Sequence, residues 1–366
     1  MKKAPILWLN VAVFSITFAI AAIGVPWYGL TVGLSAGLWW AALGLFCYAG
    51  LSITAGYHRL WSHRTYDAHW SVRLLFALGG ALALQNSALH WSSDHREHHK
   101  HVDHDDNDPY SASRGFWYSH IGWMLREHQE DSYNDYANVK DLQRDPIVMW
   151  QHKHYLALTL GMNFGVPLLI GLLMGNVIGA LLLCGFLRLV IGHHTTFFIN
   201  SLAHIWGTRP YTERNSARDN GVLAFVTFGE GYHNFHHIFS GDYRNGIRWY
   251  QFDPTKWLIR GMSYVGLASK LKRASEYQIE KARLDMMWRR LQEHRETSAE
   301  RLQHEYEDLL KQAKAYYQSK KALLDARTQV FKDQVEHSSL AARYRELKTE
   351  FRQERRRWRR MVRAAL

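Results

Sequence analysis

Four stretches of this chain are apolar for long enough to cross a bilayer, and they come in two close pairs. They cover residues 6–27, 30–54, 155–173 and 177–199; a helical crossing needs about 20 residues. Tyr28-Gly29 joins the first pair and Met174-Gly175-Asn176 the second, and neither turn carries a charge. Lysine and arginine gather instead at Lys2 and Lys3, through residues 55–153, and after Asn200. The excess of positive charge on cytoplasmic segments then predicts two helical hairpins, with both termini and the central segment in the cytoplasm. An inner membrane of a bacterium is the expected setting. A fifth apolar stretch, residues 74–84, is too short to span and is expected to lie along the interface or pack between elements. Met1-Lys2-Lys3 before an apolar run, with Ala19-Ile20-Ala21 beyond, has the outline of a signal peptide. The run is longer than a signal core, so an uncleaved first helix is expected.

The whole-chain averages, 47% hydrophobic with a net charge of +12, conceal two chemically different parts. From Lys270 onward there are 25 Lys/Arg against 15 Asp/Glu, so most of the basic excess lies in the tail. The two cysteines, Cys47 and Cys184, both fall in apolar stretches, which argues against a structural disulfide.

Residues 267–366 contain neither glycine nor proline. Leu302, Tyr306, Leu309, Ala313 and Tyr316 recur four and three apart, the spacing of a helix or coiled coil, which would allow self-association through the C-terminal helix. Two domains follow: a membrane domain over 1–266 and a basic helical extension over 267–366. The run from Arg355 to Arg363 would suit anionic lipid or an acidic protein; a nucleic-acid partner is not expected of a tail tethered to a membrane domain. A merely solvated helix is the alternative.

The candidate chemistry lies in the histidines. His58 and His63 follow the second span; His95, His98 and His99 form a second cluster; His233, His236 and His237 form a third, with His204 alone before it. One histidine is ordinarily a solvated or hydrogen-bonded residue. Two triplets at i, i+3 and i+4 each place three imidazoles on one helix face, and imidazole is the common side-chain ligand of transition metals. So many nitrogens exceed the needs of a tetrahedral zinc site. Only Glu230-Gly231-Tyr232-His233 matches the Glu-x-x-His element of soluble di-iron bundles, so a carboxylate-rich site does not fit. A nitrogen-dominated centre for two irons fits best. His69, His101, His104 and His120 stand outside the pattern and are read as surface or supporting residues.

The segments His58-Arg-Leu-Trp-Ser-His63, Trp91-Ser-Ser-Asp-His-Arg-Glu-His-His-Lys100, Asn200-Ser-Leu-Ala-His204 and Gly229-Glu-Gly-Tyr-His-Asn-Phe-His-His237 resemble the membrane-bound acyl desaturases of the stearoyl-CoA Δ9 type. The resemblance runs from about residue 5 to 260 in motif order, spacing and flanking residues. It implies an all-α integral-membrane fold of four spans with a cytoplasmic cap. It also implies a di-iron centre on His58, His63, His95, His98, His99, His204, His233, His236 and His237, with Asn200 reaching one iron through water. O2 would be co-substrate, and the product a cis double bond in an acyl-CoA or acyl-lipid chain held among membrane lipids. No cytochrome b5-like segment is evident, so an external ferredoxin or reductase is expected as electron donor. By the same resemblance, Ala42–Phe46 would close the acyl tunnel, with helix packing as the alternative.

Two departures bear on the acyl carrier. Ser93 stands where relatives acting on acyl-CoA commonly have a basic residue, and their later basic pair is reduced to Arg126-Glu127. Fewer cations weaken a grip on CoA phosphates. Arg188, inside the fourth span, is expected to turn inward; His193 and His194 are candidates for supporting or tunnel-lining roles. A membrane hydroxylase using the same metal and a catalytically silent membrane scaffold are the rival readings.

Overall fold

The computed structural model describes residues 4–128, 136–294, 299–328 and 334–365, so Lys2 and Lys3 lie outside the described residues. These residues are mostly helical, and among them there is one two-residue strand pair, Asp67–Ala68 against Ala268–Ser269. The chain divides into two compact units, residues 1–209 with 215–273, and residues 210–214 with 274–366.

In the first unit four helices are long and apolar enough to span a membrane: α1 Trp8–Thr31, α2 Ala36–Ser62, α5 Tyr155–Leu173 and α6 Val177–Ile205. Between the pairs lie α3, Trp70–Ala83, and α4, Ala88–His101. Large apolar side chains on the spans, among them Leu9, Trp27, Leu30, Leu168 and Leu173, are exposed to the surroundings. That outward apolar surface suits hydrocarbon, and it makes this a membrane protein.

The first turn falls later than the sequence reading places it. Tyr28-Gly29 continues α1; the reversal is made at Gly33, whose φ of +91° disfavours a side chain, and Ser35 caps α2 through its hydroxyl. Tyr28 is buried and donates from its hydroxyl to Asn176 Oδ1 at 2.8 Å, tying the two turns together. In the second hairpin Gly175 and the capping Asn176 make the turn where the sequence indicates.

α2 and α6 also extend past their predicted ends, because helix continues from the apolar span into the polar histidine segments. The stretch read as residues 74–84 is part of α3, which packs between elements. A Cβ at Gly79 would strike Ser52, and one at Gly80 the Tyr57 ring, so these glycines permit the close approach to α2. Leu84 and Asn86, both with positive φ, turn the chain by 80° into α4. Arg188 does turn inward, donating to the Cys184 and Leu82 carbonyls and to Asn163 Oδ1.

Among its described residues the second unit has three helices, Glu276–His294, Ala299–Thr328 and Gln334–Ala365. Their core joins Leu284, Leu309, Ala313, Phe351, Trp358 and Val362. The predicted periodic face of Leu309, Ala313 and Tyr316 is thus buried within the chain itself. Tyr211 and Glu213, from the 210–214 segment, meet Arg283 and Arg290.

Candidate metal centre

Four elements carry the nine histidines. His58 and His63 are five residues apart, which would place them about 140° apart around an α-helix. Here α2 ends in an eleven-residue π-helical stretch, Ser52–Ser62, and His63 N donates to the His58 carbonyl at 3.1 Å. A five-residue repeat therefore returns both imidazoles to one side. Ser87 caps α4 and starts the helix that aligns His95, His98 and His99. His204 ends α6. The last triplet occupies a short helix, His233–Ile238, whose first turn is held by Asp219 Oδ1 accepting from Phe235 N.

These elements bring the nine imidazoles into two groups, with one ring nitrogen from each member lying within 4.8 Å of the others in its group. His58, His63, His95, His99 and His236 form one group; His98, His204, His233 and His237 form the other. Each triplet divides the same way: its i, i+4 pair joins one group and its middle histidine the other. The groups adjoin, with the His99 and His237 rings stacked 4.3 Å apart. Nitrogens converge at hydrogen-bonding separations, such as His63 Nε2 to His95 Nε2 at 2.8 Å and His204 Nε2 to His233 Nε2 at 3.1 Å.

The far sides of the rings meet oxygen atoms. Glu230 Oε2 lies 2.9 Å from His58 Nδ1, Asp108 Oδ1 lies 2.8 Å from His98 Nδ1, and Ser216 Oγ lies 2.7 Å from His204 Nδ1. The Tyr110 hydroxyl lies 3.2 Å from His95 Nδ1. Such partners fix ring orientation and tautomer, and leave Nε2 directed at a metal. Glu230 is itself held by Arg59 and Asn245. Burial raises its carboxyl pKa, but His58 and Arg59 outweigh this and bring it down to about 2, so it is ionised. For His63, His236 and His237, burial first and then the crowding of neighbouring histidines drive the pKa well below 6.5. Converging imidazoles, four of them with an outer nitrogen facing an oxygen, are a donor set that fits transition-metal ions.

Sequence reading missed Glu230, Asp108, Tyr110 and Ser216 as orienting residues. The Glu-x-x-His match at Glu230 was the available signal, but this carboxylate supports a histidine from another helix. Asn200 is half-buried and closes the regular part of α6 one turn before His204. His193 bonds to the Ala83 and Leu84 carbonyls and His194 to His120, so neither belongs to the two groups.

Beside the centre runs an apolar cavity, lined along α2 by Phe46, Gly50 and Thr54 and along α6 by Thr196 and Ile199. Thr54 lies one helical turn before His58, and Ile199 immediately precedes Asn200. Gln85 Nε2 donates to Thr196 Oγ1 at 2.9 Å within this wall. Phe228, in a left-handed conformation at φ +56°, packs against Phe46 with ring centroids 5.3 Å apart. Ala42 is buried in a cluster with Leu38, Ala180 and Leu183.

A helical membrane domain carrying buried histidine clusters that could hold metal, beside an apolar cavity, defines a class of membrane proteins. The family described as "Fatty acid desaturase" matches residues 35–269, and the chain belongs to that family. It is 50% identical over 241 residues to "Acyl-CoA desaturase 1" of Saccharomyces cerevisiae, covering 65% of this chain and 47% of that protein. It is 38% identical over 284 residues to "Stearoyl-CoA desaturase 5" of Bos taurus, covering 76% of this chain and 83% of the relative. It is also 36% identical over 274 residues to the "sn-2 palmitoyl-lipid 9-desaturase" of Nostoc, covering 72% and 90%. The chain spans about half the length of the yeast relatives it matches. The expectation of a bacterial member is not supported, since the yeast relatives at 48–50% identity and the bovine one are eukaryotic.

Proposed function

We propose that this chain is an acyl desaturase that introduces a cis double bond, at the Δ9 position, into a saturated acyl chain. The observation that carries the reading is the pair of adjoining imidazole groups, five and four residues, beside an apolar cavity. His58, His63, His95, His99 and His236 would hold one iron. His98, His204, His233 and His237 would hold the other, with Asn200 completing that set through water. With O2 and two external electrons, the irons would supply the oxidising power needed to take two hydrogens from unactivated methylenes. The protein's own part is position. The cavity walls orient the acyl chain and exclude water, Gln85 and Thr196 pin the turn between α3 and α4 to α6, and Glu230 and Asp108 hold His58 and His98 in place.

For the carrier we take acyl-CoA, supported by the named activities of the yeast and bovine relatives. The acyl-lipid alternative draws on the Nostoc relative and on the local cations. Ser93 is uncharged and bonds to Asn138, and one donor of Arg126 is taken by the Ala4 carbonyl, so fewer donors remain there for phosphate. Both termini are assigned to the cytoplasm, following the uncharged turns and the even number of spans. An external ferredoxin or reductase would supply the electrons. Self-association through the tail is disfavoured, because the periodic seam of its helices is filled within the chain.

The test is metal and turnover together. Purified protein should carry two irons per chain and, with a reductant system, desaturate stearoyl-CoA. His98→Ala and His99→Ala, one from each group, should each reduce the iron content and abolish turnover. Retained metal and activity in both variants would overturn the assignment; turnover of acyl-lipid in place of acyl-CoA would overturn only the carrier.

A further inference from the structure

The last helix, Gln334–Ala365, has two opposed faces. Leu347, Phe351, Trp358 and Val362 are buried in the core of the second unit. On the opposite side Arg345, Thr349, Arg352, Arg356, Arg360 and Arg363 all stand exposed. Their spacing of four, three, four, four and three keeps them on one side of an α-helix. At the helical rise, the eighteen steps from Arg345 to Arg363 extend about 27 Å.

This stripe is uncompensated. The neighbouring arginines are engaged: Arg343 pairs with Glu346, Arg355 with Glu280, and Arg357 with Glu305 and Glu354. Arg345, Arg352, Arg356, Arg360 and Arg363 have no ion-pair partner among the described residues. A helix that pairs Arg343, Arg355 and Arg357 while leaving five like charges in line retains their mutual repulsion, which an external anionic surface would relieve.

We propose that this arginine stripe lies on anionic lipid headgroups of the bilayer that holds the spans. A straight row on one rigid helix matches a planar lattice of phosphates, and arginine donates in the paired geometry that phosphate oxygens accept. The tail follows the membrane unit without a break in the chain, so a bilayer is always present at high effective concentration. The stripe holds no aromatic side chain, so it lacks the stacking platform of a single-stranded nucleic-acid surface. It also lacks an apolar flank, so it binds at the headgroups and does not insert.

The test uses the full chain in lipid nanodiscs. A fluorescent donor is attached at Thr349→Cys in a Cys47→Ser, Cys184→Ser background, with an acceptor on a trace headgroup-labelled lipid. Discs are made from phosphatidylcholine alone or with phosphatidylglycerol added. Energy transfer should rise in the anionic discs and fall back when salt is added, as screening of surface charge requires. The variant Arg352→Gln/Arg356→Gln/Arg360→Gln/Arg363→Gln, which keeps good helix formers, should lose the rise while its helical content is unchanged. Equal transfer in neutral and anionic discs would overturn the proposal, and so would a salt-insensitive rise that the variant retains. Binding of an added acidic protein or nucleic acid without that lipid-dependent rise would also overturn it.

Discussion

Glu230 joins the first histidine segment to the last: its Oε2 lies 2.9 Å from His58 Nδ1 and its Oε1 lies 2.8 Å from Arg59 Nη2. A carboxylate near His233 in sequence thus sets the ring of a histidine on α2. Glu230→Gln keeps the shape but removes the charge that orients His58. Iron affinity or turnover should fall by about 10–100-fold, the usual cost of losing such a partner. Metal analysis and turnover of the purified variant check this; unchanged values for both would remove Glu230 from the centre's support.

Arg188 is fixed inside the fourth span by the carbonyls of Cys184 and Leu82 and by Asn163 Oδ1, and it also lines the cavity. Arg188→Met retains most of the volume and leaves those acceptors without their donor. Each buried group left unsatisfied costs about 1–3 kcal/mol, so a clear drop in thermal stability in detergent is expected. A variant as stable as the parent would mean that water replaces the guanidinium.

Acid should weaken the fold in two stages. His63, His236 and His237 have folded pKa values depressed below 6.5, so the unfolded chain binds more protons wherever those values differ. Stability in the metal-free protein is therefore full above 6.5 and declines below it, by roughly 1.4 kcal/mol per pH unit for each imidazole involved. Glu230, ordinarily near 4.5 and here about 2, adds a second loss as the pH falls from 4.5 toward 2. Melting temperatures of chelator-treated protein across this range test the sign. A rise in stability on acidification would contradict the lowered pKa values of these three histidines.

Much of this fold was legible because its strongest signals are long and repetitive. Four apolar runs and their uncharged turns give the hairpins, and the i, i+3, i+4 triplets give the faces of the histidine helices. The first turn was misplaced because Gly29 and Gly33 are equally suited to end a helix by composition; only the fold shows which one needs positive φ. The pairing of His58 with His63 was hidden because it depends on a π-helical stretch, which a 3.6-residue period cannot express. The division of each triplet between two groups depends on where other helices approach, as does the placement of Glu230 and Asp108 behind the rings. In the tail the period was visible, whereas burial of its seam within the chain follows only from three helices folding together.

The central claim is that the two imidazole groups hold a di-iron centre that desaturates an acyl chain. Fatty-acid analysis of a desaturase-deficient yeast expressing this chain, beside the His98→Ala variant, tests it most directly. Cis-Δ9 monoenes should form with the wild-type chain alone. Folded, iron-loaded protein in the membrane that yields no monoenes, or yields hydroxylated acids instead, would contradict the account.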